Sequence, residues 1–420
     1  MPEKRVWKKL LGVEQVVVED WDTDECDGSM VVSVRPSRKA AKRCSRCGRR
    51  CPAYDRGEGR RRWRGLDLGT TKVYLESTAI RVNCAEHGVV VAAVSWARAG
   101  SVFTREFEEQ AAWIAVHTNR TAVGQLMRVA WRTVGRIVEV VGEEARQKVD
   151  LLSGLRRIGI DEVSYRKGHK YATIVVDHDS GRLVWMEKGR DKDTVRRFFD
   201  ALGEHRSREL QVVTADGASW IDEVVKERAP QAIRGLDPFH VVQWATKALD
   251  EVRRKVWNDL REAARPGVAA LLKHARWALW KNPEDLTPSQ RESLAWIPKL
   301  NGPLYRAYLL KEALRAVFHA PSVAQALSRL DAWLRWARRS RLKPFLKLAR
   351  TLISFYWRLV ATLTHGLSNA LVEARNTQIR LLARLAHGFK RVEALIGLSM
   401  LKLAGLCPPL PGRPRPTAPS

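Results

Sequence analysis

The chain has 420 residues, with 74 Lys and Arg against 46 Asp and Glu, a formal charge of +28 and a pI near 10.4. A core-forming composition, 45% hydrophobic, excludes a disordered basic tail, and so strong a basic excess draws polyanions through its long-range field. No uncharged apolar run approaches the ~20 residues of a membrane helix, and six cysteines in so long a chain do not form a secreted disulfide framework. The expectation is an intracellular protein that meets nucleic acid and no membrane.

Charge is unevenly distributed. Residues 11–27 hold seven acidic side chains and no basic one, whereas residues 35–64 hold thirteen basic and two acidic. The second stretch contains Cys44-Ser-Arg-Cys47-Gly, and Cys84-Ala-Glu-His87-Gly follows further on. Two C-x-x-[CH]-G half-sites suit one Zn²⁺ held from two tight turns. The alternating segment between them predicts a hairpin that joins them. Cys51 competes as a ligand, and Cys26 and Cys407 are bystanders. Arg61 and Arg62, in the arginine-rich run between the half-sites, are candidate phosphate contacts; a solvated charge run is the bland alternative.

Residues 103–150 predict three helices. The first starts after Thr104 as a cap and carries Phe103, Phe107, Ala111 and Ile114 at helical spacing. A short helix, a turn near Val129-Ala130 and a second helix through Ile137 then give helix-turn-helix spacing. That helix offers Arg132, Thr133 and Arg136 to a major groove, with Arg128 at the turn. The pattern alone is shared by many three-helix bundles.

The segment 155–240 predicts three strands in sequence, a helix and a fourth strand, with a turn at Asp179-Ser180-Gly181. This is the opening order of a ribonuclease-H-like domain. Asp161 interrupts the apolar strand of Ile158 and Ile160, which is costly unless the carboxylate binds metal or is paired. Asp216 ends the fourth strand, where Asp-Gly is also ordinary turn chemistry. Far downstream, Asn369, Glu373, Asn376, Arg380 and Arg384 form one polar helical stripe. The stretch between, about 241–365, holds eight of the sixteen tryptophans. Its pairs Trp277/Trp280 and Trp333/Trp336 are expected in a helical core, with base stacking the sharper alternative. The run ARRSRLKPFLKLAR within it is basic enough to follow a DNA backbone.

Taken together, the zinc half-sites, the helix-turn-helix, IGIDEVSYRKGHKYATIVVD, TADGASW, DPFHVV and LSNALVEARNTQIRLLARLAHGFK resemble bacterial insertion-sequence transposases of the ISL3 family, over roughly Cys44 to Leu406. The resemblance implies a DDE recombinase whose triad is Asp161, Asp216 and Glu373, using two Mg²⁺ (or Mn²⁺) ions beside one structural Zn²⁺ on Cys44, Cys47, Cys84 and His87. Where this chain has His87, a cysteine is also common in such modules. The partners implied are duplex DNA, as element terminal inverted repeats and target, and a second copy in a synaptic homodimer. The location implied is the bacterial cytoplasm, on the nucleoid. His240 of DPFH either touches the scissile phosphate or is a satisfied histidine opening the insertion.

The expected architecture is therefore a multidomain α+β chain with a ribonuclease-H-like catalytic core split by a helical insertion. Its parts are a zinc-binding module (1–100), a helix-turn-helix (101–152), a first core part (153–240), the insertion (241–365), a last core part carrying the Glu helix (366–406) and a disordered tail (407–420). Two rivals stand beside the transposase: a DNA-binding regulator with a dead core, and a structure-selective nuclease of the same fold.

Overall fold

A computed structural model describes residues 2–166, 168–215, 219–263, 266–366, 369–386, 388–389 and 391–413. They form two compact units: residues 1–150 with 381–420, and residues 151–380. Among the described residues no helix is long and apolar enough to cross a membrane.

In the first unit, helix α1 (Pro2–Leu11) precedes the hairpin β1 (Val16–Thr23) and β2 (Met30–Pro36). Strand β3 (Ala53–Asp55) is followed by β4 (Arg60–Arg64), β5 (Val73–Thr78), β6 (Arg81–Cys84) and β7 (Gly88–Val91). One sheet has the order β1-β2-β5-β4, and a smaller one the order β3-β6-β7. Alternation explains the larger sheet: Val73, Leu75 and Ser77 of β5 are buried, the first two packed with Val32, Val34 and the T-shaped pair Trp63/Trp96. Helix α2 (Arg105–His117) starts where expected, with Thr104 Oγ1 accepting from the Phe107 amide at 3.3 Å. Helices α3 (Arg120–Met127) and α4 (Trp131–Lys148) follow. Arg128, in the left-handed conformation at φ 52°, closes α3.

A buried cation ties this unit together. Arg98, 8% exposed, donates to Glu108 at 2.8 Å, to Glu109 at 3.1 Å and to Glu144 of α4. Burial pushes the Glu144 carboxyl up, but Lys148, Arg98 and Arg105 outweigh it and hold it down at about 2. Its folded value lies below the unfolded one, so the stabilisation is complete above about pH 4.5 and fades as pH falls toward 2. Arg98→Ala would leave three carboxylates facing one another. We expect it to destabilise the unit by about 3 kcal/mol, with a smaller difference from wild type in thermal melts near pH 3 than at pH 7.

The second unit is built on a five-stranded sheet. Strands β8 (Arg157–Arg166), β9 (Lys170–Asp177) and β10 (Leu183–Lys188) are successive antiparallel neighbours. The reversal between β9 and β10 falls at the expected turn, where Asp177 accepts the Asp179 and Ser180 amides. Helices α5 (Lys192–Leu202) and α6 (Glu204–Arg208) cross over to β11 (Val212–Ala215), and α7 (Ser219–Arg228) crosses to β12 (Ile233–Leu236). Both late strands run parallel to β8, giving the order β10-β9-β8-β11-β12. Ile158, Ile160, Val175 and Val213 pack against Phe198 and Phe199 of α5 on one face.

From α8 (Pro238–Glu262) to residue 365 the described chain is helical: α9 (Pro266–His274), α10 (Arg276–Trp280), α11 (Pro288–Leu300), α12 (Gly302–Phe318), α13 (Val323–Arg339), α14 (Lys343–Ser354) and α15 (Tyr356–His365). Their shared core includes Leu249, Leu310, Trp333 and Phe345. Lys311, buried within it, donates to the carbonyls of Leu279 at 3.0 Å and Lys281 at 3.1 Å, closing the end of α10. The tryptophan pairs are not a uniform core stripe. Trp333 is buried and Trp336 exposed; Trp277 is exposed and Trp280 half-buried. Two residues three apart differ by about 60° around a helix, so each pair straddles the core boundary.

Helix α16 (Ala370–Leu385) carries the chain back to the first unit, where α17 (Val392–Leu403) packs on α4. Segment 366–406 was expected to finish the catalytic core; its last helix, α17, lies in the first unit beside α4. Its apolar surface is matched there by a close crossing: a Cβ on Gly142 would lie 2.8 Å from the Gly397 Cα. Residues 407–410 of the expected tail, with Arg413, line a groove beside Trp113 and Val149. Residues 414–420 lie outside the described residues.

Candidate active site, metal centres and DNA-facing helix

Among the described residues, two clusters have the donors to hold a metal ion. The first joins the predicted half-sites. Cys44 Sγ lies 3.8 Å from His87 Nδ1, Cys47 Sγ 3.7 Å from Cys84 Sγ, and Cys84 Sγ 3.6 Å from His87 Nδ1. A tetrahedral ion with Zn–S near 2.3 Å requires sulfur–sulfur edges of about 3.8 Å, so the donor set fits Zn²⁺. Glycine follows each half-site because the turn needs a left-handed residue: φ is 70° at Gly48 and 65° at Gly88. The β6–β7 pairing brings Cys84 and His87 to one turn. Hydrogen bonding to His87 draws the Cys84 thiol down to about 6. Cys51 is buried nearby but outside the four-residue cluster, its thiol pushed up by burial.

The second cluster lies at one end of the large sheet. Asp237, His240 and Glu373 have donor atoms all within 4.8 Å of one another. Asp237 follows β12 and caps α8 by accepting from the Phe239 amide; its other oxygen meets His240 Nδ1 at 2.8 Å. Burial, then the Asp237 charge, raises the Glu373 carboxyl, opposed by His240 and Arg380. Asp161 is half-buried on β8, its Oδ1 accepting from the Glu162 amide at 2.7 Å and its Oδ2 from Asn376 Nδ2 at 2.6 Å. Asn376 sits one turn beyond Glu373, so one helix face carries Glu373 and holds Asp161. Asp216 lies outside the described residues. The residue before it, Ala215, is in register with Ile160 on one side and Leu236 on the other.

Close packing makes this possible. Gly159 sits two residues before Asp161, and a Cβ there would lie 2.3 Å from Val372 Cγ2 of α16. Beneath α16, Thr214 Oγ1 donates to Asn369 Oδ1 at 2.9 Å, which leaves His178 Nε2, 2.7 Å away, as the donor to Thr214. Burial lowers the His178 pKa. Asn369 and Asn376 are buried and Glu373 half-buried, so the first part of the polar stripe faces the sheet, while Arg380 and Arg384 are exposed. Gly159, His178 and Thr214 were not anticipated; the only sequence signal was a glycine inside the run Ile158-Gly159-Ile160-Asp161.

The donor set is one of oxygens with a single imidazole, which suits a hard divalent cation such as Mg²⁺ or Mn²⁺. The buried Asn376 Oδ1, with no hydrogen-bond partner among the described residues, fits such a group, since it can accept from a metal-bound water.

The helix-turn-helix residues divide. Arg132 and Arg136 are exposed on α4 and, with Thr133, line a groove of about 350 Å³ beside Ser101, Val102 and Phe103. Arg128 instead donates to the Thr70 carbonyl at 2.8 Å and meets Asp67. Arg62 is held by Glu76 at 2.9 Å and Asp24 at 2.8 Å, and Arg61 by the Ser101 carbonyl at 3.0 Å. These three are tied down within their unit.

Comparison with known proteins follows the same division. Residues 158–398 match the DDE transposase domain of the ISL3 family. Residues 92–139 match the helix-turn-helix domain of that transposase family, and residues 40–87 the zinc finger of the IS204/IS1001/IS1096/IS1165 transposases. The chain is 50% identical over 437 aligned positions to the transposase for insertion sequence element IS1557 of Mycobacterium tuberculosis, covering 98% of both. The chain belongs to the ISL3 family of insertion-sequence transposases. It is also 27% identical to the transposase for IS1001 of Bordetella parapertussis, over 94% of this chain and 96% of that one. As an ISL3 transposase it is a DNA-cleaving and strand-transferring enzyme, and its zinc-finger match agrees with the four-ligand cluster. The regulator with a dead core is set aside by this membership.

Proposed function

We propose that this transposase binds the terminal inverted repeats of its own element through α4, and cuts and joins strands at a site formed by Asp161, Asp216 and Glu373. The observation that carries this is the register. Ile160, Ala215 and Leu236 are adjacent on three parallel strands, so an acidic residue comes next on each. Asn376 binds Asp161, and Glu373 on the same helix approaches Asp237. A sheet of three antiparallel and two parallel strands supports a ribonuclease-H-like reading, in which the helical stretch 241–365 between it and α16 is an insertion into that core.

Two divalent ions, when bound, would activate the attacking water or 3′-hydroxyl and neutralise charge on the leaving oxygen. The protein's own work is positional. Asp161 is fixed by two N–H donors, the Glu162 amide and Asn376 Nδ2. Asp237, buried and holding the His240 imidazole, orients that ring toward Glu373. Tyr165 and Ser164 need no nucleophilic role. Two copies, each holding one element end, would form the synaptic complex, and the setting is the bacterial cytoplasm.

Recognition by α4 is tested separately from chemistry. Arg132→Ala or Arg136→Ala should weaken binding to an element-end duplex and, where a base contact is lost, relax specificity by ~1–3 kcal/mol. Binding isotherms on matched and mismatched ends would measure it. Wild-type binding by both variants would make α4 structural. The whole reading is tested by incubating the purified chain with an element-end duplex with and without Mg²⁺. Cleavage independent of divalent cation would overturn the triad.

A further inference from the structure

We propose that the corner between α13 and α14 is a second duplex-DNA surface, one that grips phosphates without reading bases. Between Asp331 and Glu373 the sequence holds eight Lys and Arg and no acidic residue. The fold gathers most of that charge at one place. Arg335, Arg338 and Arg339 lie on the outer face of α13, opposite the buried Leu330, Trp333 and Ala337. Lys343, Lys347 and Arg350 lie on the outer face of α14, opposite the buried Phe345, Leu348 and Leu352. Arg341 sits between them, and all seven are exposed.

Scattered cations of the same region, such as Lys255 and Arg291, are also without partners, but only here among the described residues do seven such side chains fall within sixteen residues. In the same helical region Arg253 pairs with Asp250, Arg315 with Glu284 and Glu312, and Arg358 with Asp222. None of the seven makes a side-chain hydrogen bond or salt bridge among the described residues. A charge run on an ordinary solvated face acquires acids at helical spacing; here the one such acid, Asp331 four residues before Arg335, is bonded to the Tyr356 hydroxyl at 3.0 Å and to none of the seven. Repulsion among seven like charges is a standing cost that a polyanion would relieve.

The corner is also rigid. Arg306 donates to the Ser340 carbonyl at 3.0 Å, and Ser340 Oγ accepts from the Leu342 amide at 3.2 Å. Arg341 adopts φ 60°, a left-handed position that glycine would occupy more easily. A long cation therefore stands at the apex at some conformational cost. Lys343, Lys347 and Arg350 span about 10 Å along α14, the axial rise of about three base pairs. That matches a run of backbone phosphates. With no cluster of amide or carboxylate side chains among these cations, the surface offers few groups for base edges.

The test uses the full chain and a duplex of random sequence lacking any element end. Replacing Arg339, Lys343 and Lys347 together by Gln should raise Kd at least tenfold at physiological salt. The slope of log K against log [NaCl] between about 50 and 200 mM should fall by about 2.7, three released counterions' worth. The ratio of affinities for element end over random duplex should not fall, since the corner reads no bases. A charge-retaining control, Arg338→Lys with Arg339→Lys, should bind like wild type. An unchanged Kd and slope in the triple variant would overturn the proposal, whether the surface is bare or meets a protein instead. Equal loss in the charge-retaining control would overturn it too, because the effect would then not be charge. Loss of end-over-random preference would show base readout and refute the phosphate-only assignment.

Discussion

Asp161→Asn, Asp216→Asn and Glu373→Gln should each abolish strand cleavage and joining while leaving element-end binding intact. The amides preserve shape and remove the negative charge that draws divalent ions to the end of the sheet. A loss of roughly 10³-fold or more is expected from each, and double variants should be hardly worse, because members of one unit are not additive. Binding of DNA should hold or tighten as repulsion of the phosphates falls. Asn376→Ala should behave differently: it leaves all the acids in place but removes the amide donor to Asp161 Oδ2. Loss of such a supporting contact costs about 10–100-fold in metal affinity. The metal concentration for half-maximal cleavage should rise, and high Mn²⁺ should restore part of the rate. Metal titrations of cleavage, with thermal melts as a fold control, separate these outcomes. Activity in Asp216→Asn with none in Asp237→Asn would move the second carboxylate to the end of β12. Activity in all three triad variants would end the proposal.

What could be read from the sequence was what is local. Thr104 caps the helix it precedes, Asp177–Gly181 turns where turn residues cluster, and the two glycine-tailed half-sites come together as one cluster, although the segment between them is four strands in two sheets and not the single hairpin expected. The site at the sheet end was half legible. Asp161 stood out as a charge in an apolar strand, and Glu373 as the lone acid in a stripe of amides. That Asn376 would hold Asp161, or that Gly159 would admit Val372, depends on which helix lies over β8, and no periodicity carries that. Arg62 is more tightly held than a count of charge suggests, for a related reason. Counting charge along residues 35–64 ignores acids that strand pairing brings across: Glu76 faces Arg62 in register on β5, and Asp24 comes from the acidic stretch before β2. The same accounting explains the α13–α14 corner, where no acid arrives from elsewhere.

One zinc per chain is expected, and its loss should unfold the small sheet that carries it. The argument is the size of the core there. Around β3, β6 and β7 the buried apolar residues are Val82 with Cys44, Cys51 and Cys84. A cluster in which three of four buried members are cysteines cannot stabilise a sheet by hydrophobic burial, so the ion itself must link the strands. Structural zinc in comparable small modules carries about 10–16 kcal/mol of apparent binding free energy, and that energy is folding energy. Cys47→Ser should therefore lose zinc, expose residues near 40–92 to limited proteolysis and weaken element-end binding. The second unit, carried by its own core, should keep its melting transition. Cys51→Ser is the informative control. It lies outside the four-residue cluster, so it should retain full zinc with only a modest loss of stability. Elemental analysis of the two variants decides the ligand set: zinc retained in a Cys44/Cys47 double variant would remove the centre altogether, and zinc lost in Cys51→Ser would put that thiol in place of one of the four.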